Sequence, residues 1–298
     1  GLRDPALQQA VRDHFCQAAV EAVICCTGFA SVQADRAGDG APLWQQLGVP
    51  VIQLLISSGS QQRWQSSSVG LSPLDLAMQV ALPELDGRLM ARIGGFKELA
   101  KRDDALQCAI QRYQPDPAGV AWSFELIKRW IALRHTPEPN KRIALVLANY
   151  PTRNARLANG VGLDTPASAV AILLWLQQEG YWLGEDPIPA TSAELIAELS
   201  SGRTPDPETW HHPASEHLML ADYDVIWSRF APEARAAVLE RWGDPTTDPT
   251  LDGDRFPLSA KRYGNVTVIL QPSRGYDRDP SLNYHAPDLA PTHAYLAH

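Results

Sequence analysis

Two short apolar runs decide the fold: Ala22-Val-Ile-Cys-Cys-Thr-Gly28 and Val49-Pro-Val-Ile-Gln-Leu-Leu-Ile56. Each has the length of a strand and is nearly continuous in hydrophobic residues, the pattern of a strand covered on both faces in a parallel sheet. Apolar positions at helical spacing over 5–22 precede the first run. A predicted helix over 42–47, stopped by Gly48, separates it from the second. This alternation predicts βαβ units. The reading starts afresh after Thr136-Pro-Glu-Pro-Asn140, where two prolines break any helix. Lys141-Arg-Ile-Ala-Leu-Val-Leu-Ala148 predicts a strand and 149–163 a loop with Gly160 and Gly162. Asp164-Thr165-Pro166 then opens a helix with a cap, a proline in its first turn, an apolar body to Leu176 and Gly180 as its stop.

The expected fold is therefore α/β: two Rossmann-like units with mostly parallel sheets and flanking helices. The first unit is placed at 1–137 with trailing helices, the second at 138–298. In the first, Ser72 and Pro73 begin a helix that runs into Pro83-Glu84-Leu85-Asp86-Gly87. Residues 97–113 and 119–135 read as two further helices, the latter carrying Trp122, Leu126, Trp130 and Leu133 on one side. In the second, 192–199 reads as a short acidic helix, 232–242 as a helix ended by Gly243, and 266–271 as a strand. Pro272-Ser-Arg-Gly-Tyr-Asp277 follows at the carboxyl end of that strand, where open α/β sheets place their ligands.

Composition narrows the function. The 298 residues carry 26 Lys+Arg against 34 Asp+Glu, a formal net charge of −8. That balance argues against nucleic acid as a partner, since phosphate binding needs clustered basic residues. The acid excess is concentrated in the second half, −7 over 140–298 against −1 over 1–139. No apolar run reaches the ~18–20 residues of a membrane span. There are four cysteines and no C-x-x-C pair, which predicts a reducing, cytoplasmic setting, with Cys25 and Cys26 as core thiols. The chain opens at Gly1 and closes at His298 within a predicted helix start, so a piece of a longer polypeptide is expected.

Several residues could carry chemistry. Glu84 and Asp86, at i and i+2 in a tight turn, could hold a cation or take a proton. On spacing alone, a solvated helix-terminal turn is the commoner outcome. His211 and His212 are adjacent and would point to opposite faces of a strand, a poor metal pair even with His217 nearby. His285, His293 and His298, with Asp277, Asp279 and Asp288, form the richest group of metal-capable side chains but match no compact zinc spacing. Asn159-Gly-Val-Gly162 precedes a helix, yet it is neither a P-loop nor G-x-G-x-x-G.

The wording of several blocks carries more than their spacing. They are Thr27-Gly-Phe29, Gly70-Leu-Ser-Pro-Leu-Asp-Leu-Ala-Met-Gln-Val-Ala-Leu-Pro-Glu-Leu-Asp-Gly87, Lys141 to Pro151, Asn159 to Pro166, and Tyr263-Gly-Asn-Val-Thr-Val-Ile-Leu-Gln-Pro-Ser-Arg-Gly-Tyr276. The last continues to Asp279-Pro280, Tyr284-His285 and Pro291-Thr-His293. Together they resemble the large subunits of the cobaltochelatase and magnesium-chelatase family, in the family's order, and look more like the cobalt branch. The resemblance implies a metal–nitrogen ligase, in which Co²⁺ is a substrate inserted into a corrin-type tetrapyrrole, hydrogenobyrinic acid a,c-diamide, in cobalamin synthesis. It implies AAA+ partner subunits that hydrolyse the ATP, in keeping with the missing P-loop. It implies Glu84 as the catalytic carboxylate, toward the metal, and places His285 and His293 in matching blocks, expected toward the substrate. Asp86 is expected toward the metal from its spacing beside Glu84, and Gln271 and Arg274 toward the substrate from their strand-end position and charge. The family's His-Gly-rich segment is expected beyond His298, so this piece alone is expected to be inactive. The alternative is a non-catalytic α/β binding or docking module for a AAA+ partner.

Overall fold

The two apolar runs pair as predicted: β1 (Val23–Cys25) lies parallel to β2 (Val51–Ser57), Val23 opposite Val51 and Cys25 opposite Gln53. The structure, a computed structural model, describes residues 4–30, 43–67, 69–149, 157–160, 162–276, 283, 286 and 288–298. It divides into two compact units, Gly1–Thr136 and Pro137–His298. Among the described residues, no helix is long and apolar enough to cross a membrane.

In the first unit, β2 is also parallel to β3 (Leu89–Asp103), and β3 turns back into antiparallel β4 (Cys108–Pro115), giving a sheet in the order β1-β2-β3-β4. Val23, Cys25, Val51, Leu43 and Trp44 form its buried apolar cluster, against which Val11 and Phe15 of the helix Pro5–Gln17 pack. Cys25 is buried but Cys26 is exposed. The expectation of two core thiols fails at Cys26 because successive side chains of a strand leave opposite faces.

The expected helix over 97–113 is not formed; those residues are the far part of β3, its turn and β4. Lys97 to Arg102 are good helix formers locally, but pairing with β4 overrides that weak preference. The turn is closed by Asp103, whose Oδ1 accepts from Ala105 N and Leu106 N, each at 3.1 Å, and by Gln107 at φ +51. The helix expected next is present as Pro117–His135, capped by Asp116. Its buried side is Gly119, Ser123 and Ile127, while Trp122 and Leu133 are substantially exposed. The small side faces the sheet because the backbones approach closely: a Cβ on Gly119 would lie 1.9 Å from the Ile93 carbonyl oxygen.

In the second unit, β5 (Ile143–Leu147) is parallel to β9 (Val266–Leu270), and β8 (Ala260–Tyr263) runs antiparallel to β9. A separate antiparallel pair joins β6 (Glu216–Met219) and β7 (Arg255–Leu258). The helix Thr165–Gln178 follows the predicted rules: Asp164 Oδ1 accepts from Ala167 N at 3.0 Å, and Gly180 sits past its end at φ +84. It packs Ala169, Val170 and Leu173 against Val266, Val268 and Leu270. The short helix Ser192–Ser200 and the helix Pro232–Trp242 with Gly243 at φ +81 are also as expected. A further helix, Leu220–Trp227, was not foreseen.

Gly119→Ala is expected to destabilise the chain by about 1–3 kcal/mol, the range for an overpacked contact whose neighbour is backbone. A chemical-unfolding midpoint equal to that of the wild type would show that the helix–sheet approach is looser than described.

Candidate functional site

The site in the first unit is built where a helical run over 73–85 crosses the sheet. Ser72 caps it, its Oγ accepting from Asp75 N at 3.1 Å, with Pro73 in the first turn. Leu76–Ala81 is wound as a π-helix, and Leu82 N–H bonds the Ala77 carbonyl five residues back. Such wide turns recur at functional sites. Here the consequence can be followed atom by atom. In this register the Met78 carbonyl should be met by the N–H of residue 83, but that residue is proline and has none. The freed Met78 carbonyl instead accepts Phe29 N–H at 2.9 Å. Helix and β1 loop are thereby joined. Gly28 is required at the junction, since a Cβ there would stand 2.9 Å from the same oxygen. Phe29 adopts φ +69 although it is not glycine, a strain of about 1–2 kcal/mol.

Beneath the junction lies a buried ion pair. Arg88 Nη2 donates to Asp86 Oδ2 at 2.6 Å, and both side chains are almost wholly inaccessible. The same nitrogen donates to the Phe29 carbonyl at 3.1 Å. Nη1 reaches Gln53 Oε1 at 2.9 Å, the Thr27 carbonyl at 3.0 Å and Cys25 Sγ at 3.0 Å. Trp44 lies against the guanidinium, 5.3 Å from its ring centroid, and donates its indole N–H to Asp86 Oδ2 at 3.3 Å. Gln53, fully buried, spans from the Thr27 carbonyl to Gln79 Oε1 on the helix, both at 3.3 Å. A planar guanidinium suits this role, because its donors leave in a fixed fork.

Glu84 and Asp86 thus have opposite environments. Asp86 faces inward and is committed to Arg88 and Trp44, which corrects the expectation that it faces a metal. Glu84, two residues earlier on the last helical turn, is exposed. No hydrogen bond or ion pair engages its carboxylate among the described residues. The chain around it is held by bonds from Gly87 N to the Glu84 carbonyl at 2.9 Å and from Asp86 N to the Pro83 carbonyl at 3.0 Å. Among the described residues, no group of three or more His, Cys, Asp or Glu side chains stands ready to hold a metal. A cation at Glu84 would need donors from the substrate or water.

In the second unit, Gln271 and Arg274 follow the carboxyl end of β9 as expected. Gln271 is half-buried, its N–H bonded to the Leu147 carbonyl at 3.0 Å, and Arg274 reaches the Leu289 carbonyl at 3.4 Å. Asn149, at the end of the neighbouring β5, is buried with Nδ2 lacking a partner among the described residues. His285 lies outside the described residues. His293 does not face a ligand: it is fully buried, with Nε2 3.0 Å from the Gly243 carbonyl and Nδ1 2.7 Å from the Tyr223 hydroxyl. The carbonyl can only accept, so Nε2 carries a proton there. Trp227 and Tyr223 enclose the ring edge-on, and burial raises the Tyr223 phenol above its ordinary range. His293 belongs to the core because both ring nitrogens are used within it. His298 is fixed as well, Nε2 accepting Ser259 N–H at 3.0 Å and Nδ1 donating to the Ala294 carbonyl at 2.7 Å. Burial lowers its pKa, with a smaller opposing contribution from the Ala294 carbonyl.

Sequence reasoning did not single out Arg88, Gln53, Gln79 or Trp44. The available signal was polarity out of place: Gln53 interrupts an apolar strand and Arg88 opens one.

A family model described as CobN/Magnesium Chelatase matches residues 2–298. The chain is 41% identical over 297 residues to the aerobic cobaltochelatase subunit CobN of Pseudomonas aeruginosa, covering 99% of this chain and 23% of that protein. It is 26% identical over 285 residues to the chloroplastic magnesium-chelatase subunit ChlH of Oryza sativa, covering 94% and 19%. The catalytic subunit of cobaltochelatase from Mycobacterium tuberculosis has a similar structure, with a TM-score of 0.73 at 30% identity, covering 100% of this chain and 25% of that one. The chain spans about a quarter of the length of these relatives.

Removing the Arg88 side chain strands Asp86 as a buried charge. Arg88→Ala should cost about 3–5 kcal/mol of stability, read from denaturant unfolding; a loss below about 1 kcal/mol would mean that the pair is effectively solvated. A second expectation concerns pH. The His298 imidazole is depressed by burial, and His217 is depressed in the same direction, again chiefly by burial. An unfolded histidine takes its proton near about pH 6.5, while these two resist until lower pH. Stability is therefore intact above that value and falls as pH drops below it. The thermal midpoint should fall between about pH 7.5 and about pH 5.5, and fall less in His298→Asn. An equal fall in that variant would remove His298 as a source.

Proposed function

This chain belongs to the CobN/magnesium-chelatase family, and we propose that it forms part of the tetrapyrrole-holding subunit of an ATP-dependent cobaltochelatase. The substrates are Co²⁺ and hydrogenobyrinic acid a,c-diamide, the setting is cytoplasmic cobalamin synthesis, and separate AAA+ subunits hydrolyse the ATP. The higher identity to a cobaltochelatase subunit than to the magnesium-chelatase subunit, 41% against 26%, supports cobalt over magnesium.

One observation carries the reading at the level of chemistry: Glu84 is an exposed carboxylate on a turn whose neighbour Asp86 is locked to Arg88. Insertion of a divalent cation into a corrin replaces its one inner N–H bond with an N–metal bond, adds donation from the other three ring nitrogens and releases one proton. A carboxylate beside the ring lowers the cost of bringing in the cation and accepts that proton as the N–metal bond forms, passing it on to solvent. The rigid base matters, because proton transfer demands placement within hydrogen-bond reach. Asp86 acts through Arg88 in fixing that base. Gln271 and Arg274 offer an amide and a cation, which suit amide and carboxylate groups on the edge of the ring.

Glu84→Gln keeps shape and exposure but removes charge and basicity. In the assembled chelatase it should slow cobalt insertion, followed by ring absorbance, by about 100-fold or more. The unfolding midpoint should stay within about 0.5 kcal/mol of the wild type, as for a surface change. Insertion at the wild-type rate would remove Glu84 from the mechanism and leave the docking-module reading.

A further inference from the structure

Phe29 presents a contradiction that packing does not resolve. Its φ of +69 is a conformation that glycine adopts freely, yet the sequence places glycine at the preceding position, where the Met78 carbonyl leaves no room for a Cβ. A side chain is thus kept at the strained position, and that side chain does not pack into the fold: Phe29 is 55% exposed. Its backbone, in contrast, is held on both sides. The N–H is bonded to the carbonyl that the π-turn and Pro83 set free, and the C=O is bonded to Arg88 Nη2. The next residue, Ala30, is buried and anchors the exit. Strain that the surroundings enforce on an exposed residue points to use of the side chain.

The Arg88 nitrogen that holds the Phe29 carbonyl also holds Asp86, two residues from Glu84. We propose that Phe29 is a stacking platform for the conjugated face of the tetrapyrrole, and that Arg88 is the positioning residue that fixes this platform relative to the Glu84 turn. This deepens the chelatase reading and rests on it. Metal insertion needs the macrocycle held by its face while a carboxylate approaches at constant offset. A loop and a turn bonded to one buried guanidinium keep such an offset, because neither moves without breaking a charge-assisted hydrogen bond. An aromatic ring held this way offers stacking area without further ordering cost.

The test is a titration of the full-length subunit that contains this chain with hydrogenobyrinic acid a,c-diamide, followed by tryptophan quenching, at a temperature well below every variant's unfolding midpoint. Phe29→Ala should weaken binding by about ten-fold or more, and Phe29→Trp should restore it to within about three-fold, as aromatic stacking predicts. Arg88→Lys retains a charge for Asp86 but lacks the planar fork that also reaches the Phe29 carbonyl. It should weaken ring binding although Phe29 is intact. If Phe29→Ala binds the ring like the wild type while Glu84→Gln still blocks cobalt insertion, the platform is wrong and the chelatase reading stands. If Phe29→Ala lowers the unfolding midpoint and leaves ring affinity unchanged, the ring is covered by polypeptide instead, which also overturns the proposal. If the wild-type full-length subunit does not bind the tetrapyrrole, both readings fail.

Discussion

The first unit depends on the pair between Asp86 and Arg88. Burying two opposite charges costs several kcal/mol per ion before any attraction returns it, so such a pair persists only where geometry and further hydrogen bonds are good. Here they are. The guanidinium has acceptors on the β1 loop, on β1 itself, on β2 and on the turn ahead of β3, with an indole against its face. Apolar side chains of the same volume would fill the space as well. They would not specify which carbonyl of the loop meets which residue of the turn. The pair is best understood as the element that sets register among segments far apart in sequence.

That distance explains what was legible in the sequence and what was not. β1, β2, β5 and β9 could be read because each is a short apolar run bounded by turn or polar residues, and burial is a one-dimensional signal. The helix over 165–178 could be read from its Asp164-Thr165-Pro166 start and glycine stop, and the one over 117–135, expected from 119, from large apolar residues at helical spacing. β3 could not: no strand is expected over 89–96, and its far part is expected as a helix. Lys97 to Arg102 favour a helix locally, and only the pairing with Cys108–Pro115 makes them a strand. The Asx turn at Asp103 was the one local sign. At the site, spacing around Glu84 favoured a solvated turn, and half of that was right: Glu84 is solvated and Asp86 is not. Nothing in the local sequence says that Asp86 turns inward, because its partner's other contacts lie as far back as Cys25.

Pro83 links local sequence to this long-range order. A proline inside a helix normally leaves a carbonyl without its donor. The π-turn places that loss at Met78, beside a loop whose Phe29 N–H needs an acceptor. What would be a defect in an isolated helix becomes a joint between helix and sheet. The same proline opens the short turn that carries Glu84 and ends the helix at Asp86. Pro83 thus frees the carbonyl that fixes the Phe29 loop, and Gly87, at φ +73 with its N–H on the Glu84 carbonyl, closes the turn that carries the exposed carboxylate.

The histidines of the second unit show why residue type alone misleads about metal chemistry. His293 and His298 looked metal-capable in sequence, yet each has both ring nitrogens engaged by the fold. A metal ligand must offer a free lone pair. For His298 the lone pair is occupied by a backbone N–H, and at His293 one nitrogen bears a proton toward a carbonyl. A resident metal centre would use such groups and hold its ion. On the proposed chelatase reading the ion is instead delivered to the macrocycle, where ring nitrogens replace its other donors. For that proposed task an exposed carboxylate such as Glu84 suits better than a closed histidine cluster, since a weak, single-donor contact releases its cation when the ring takes it.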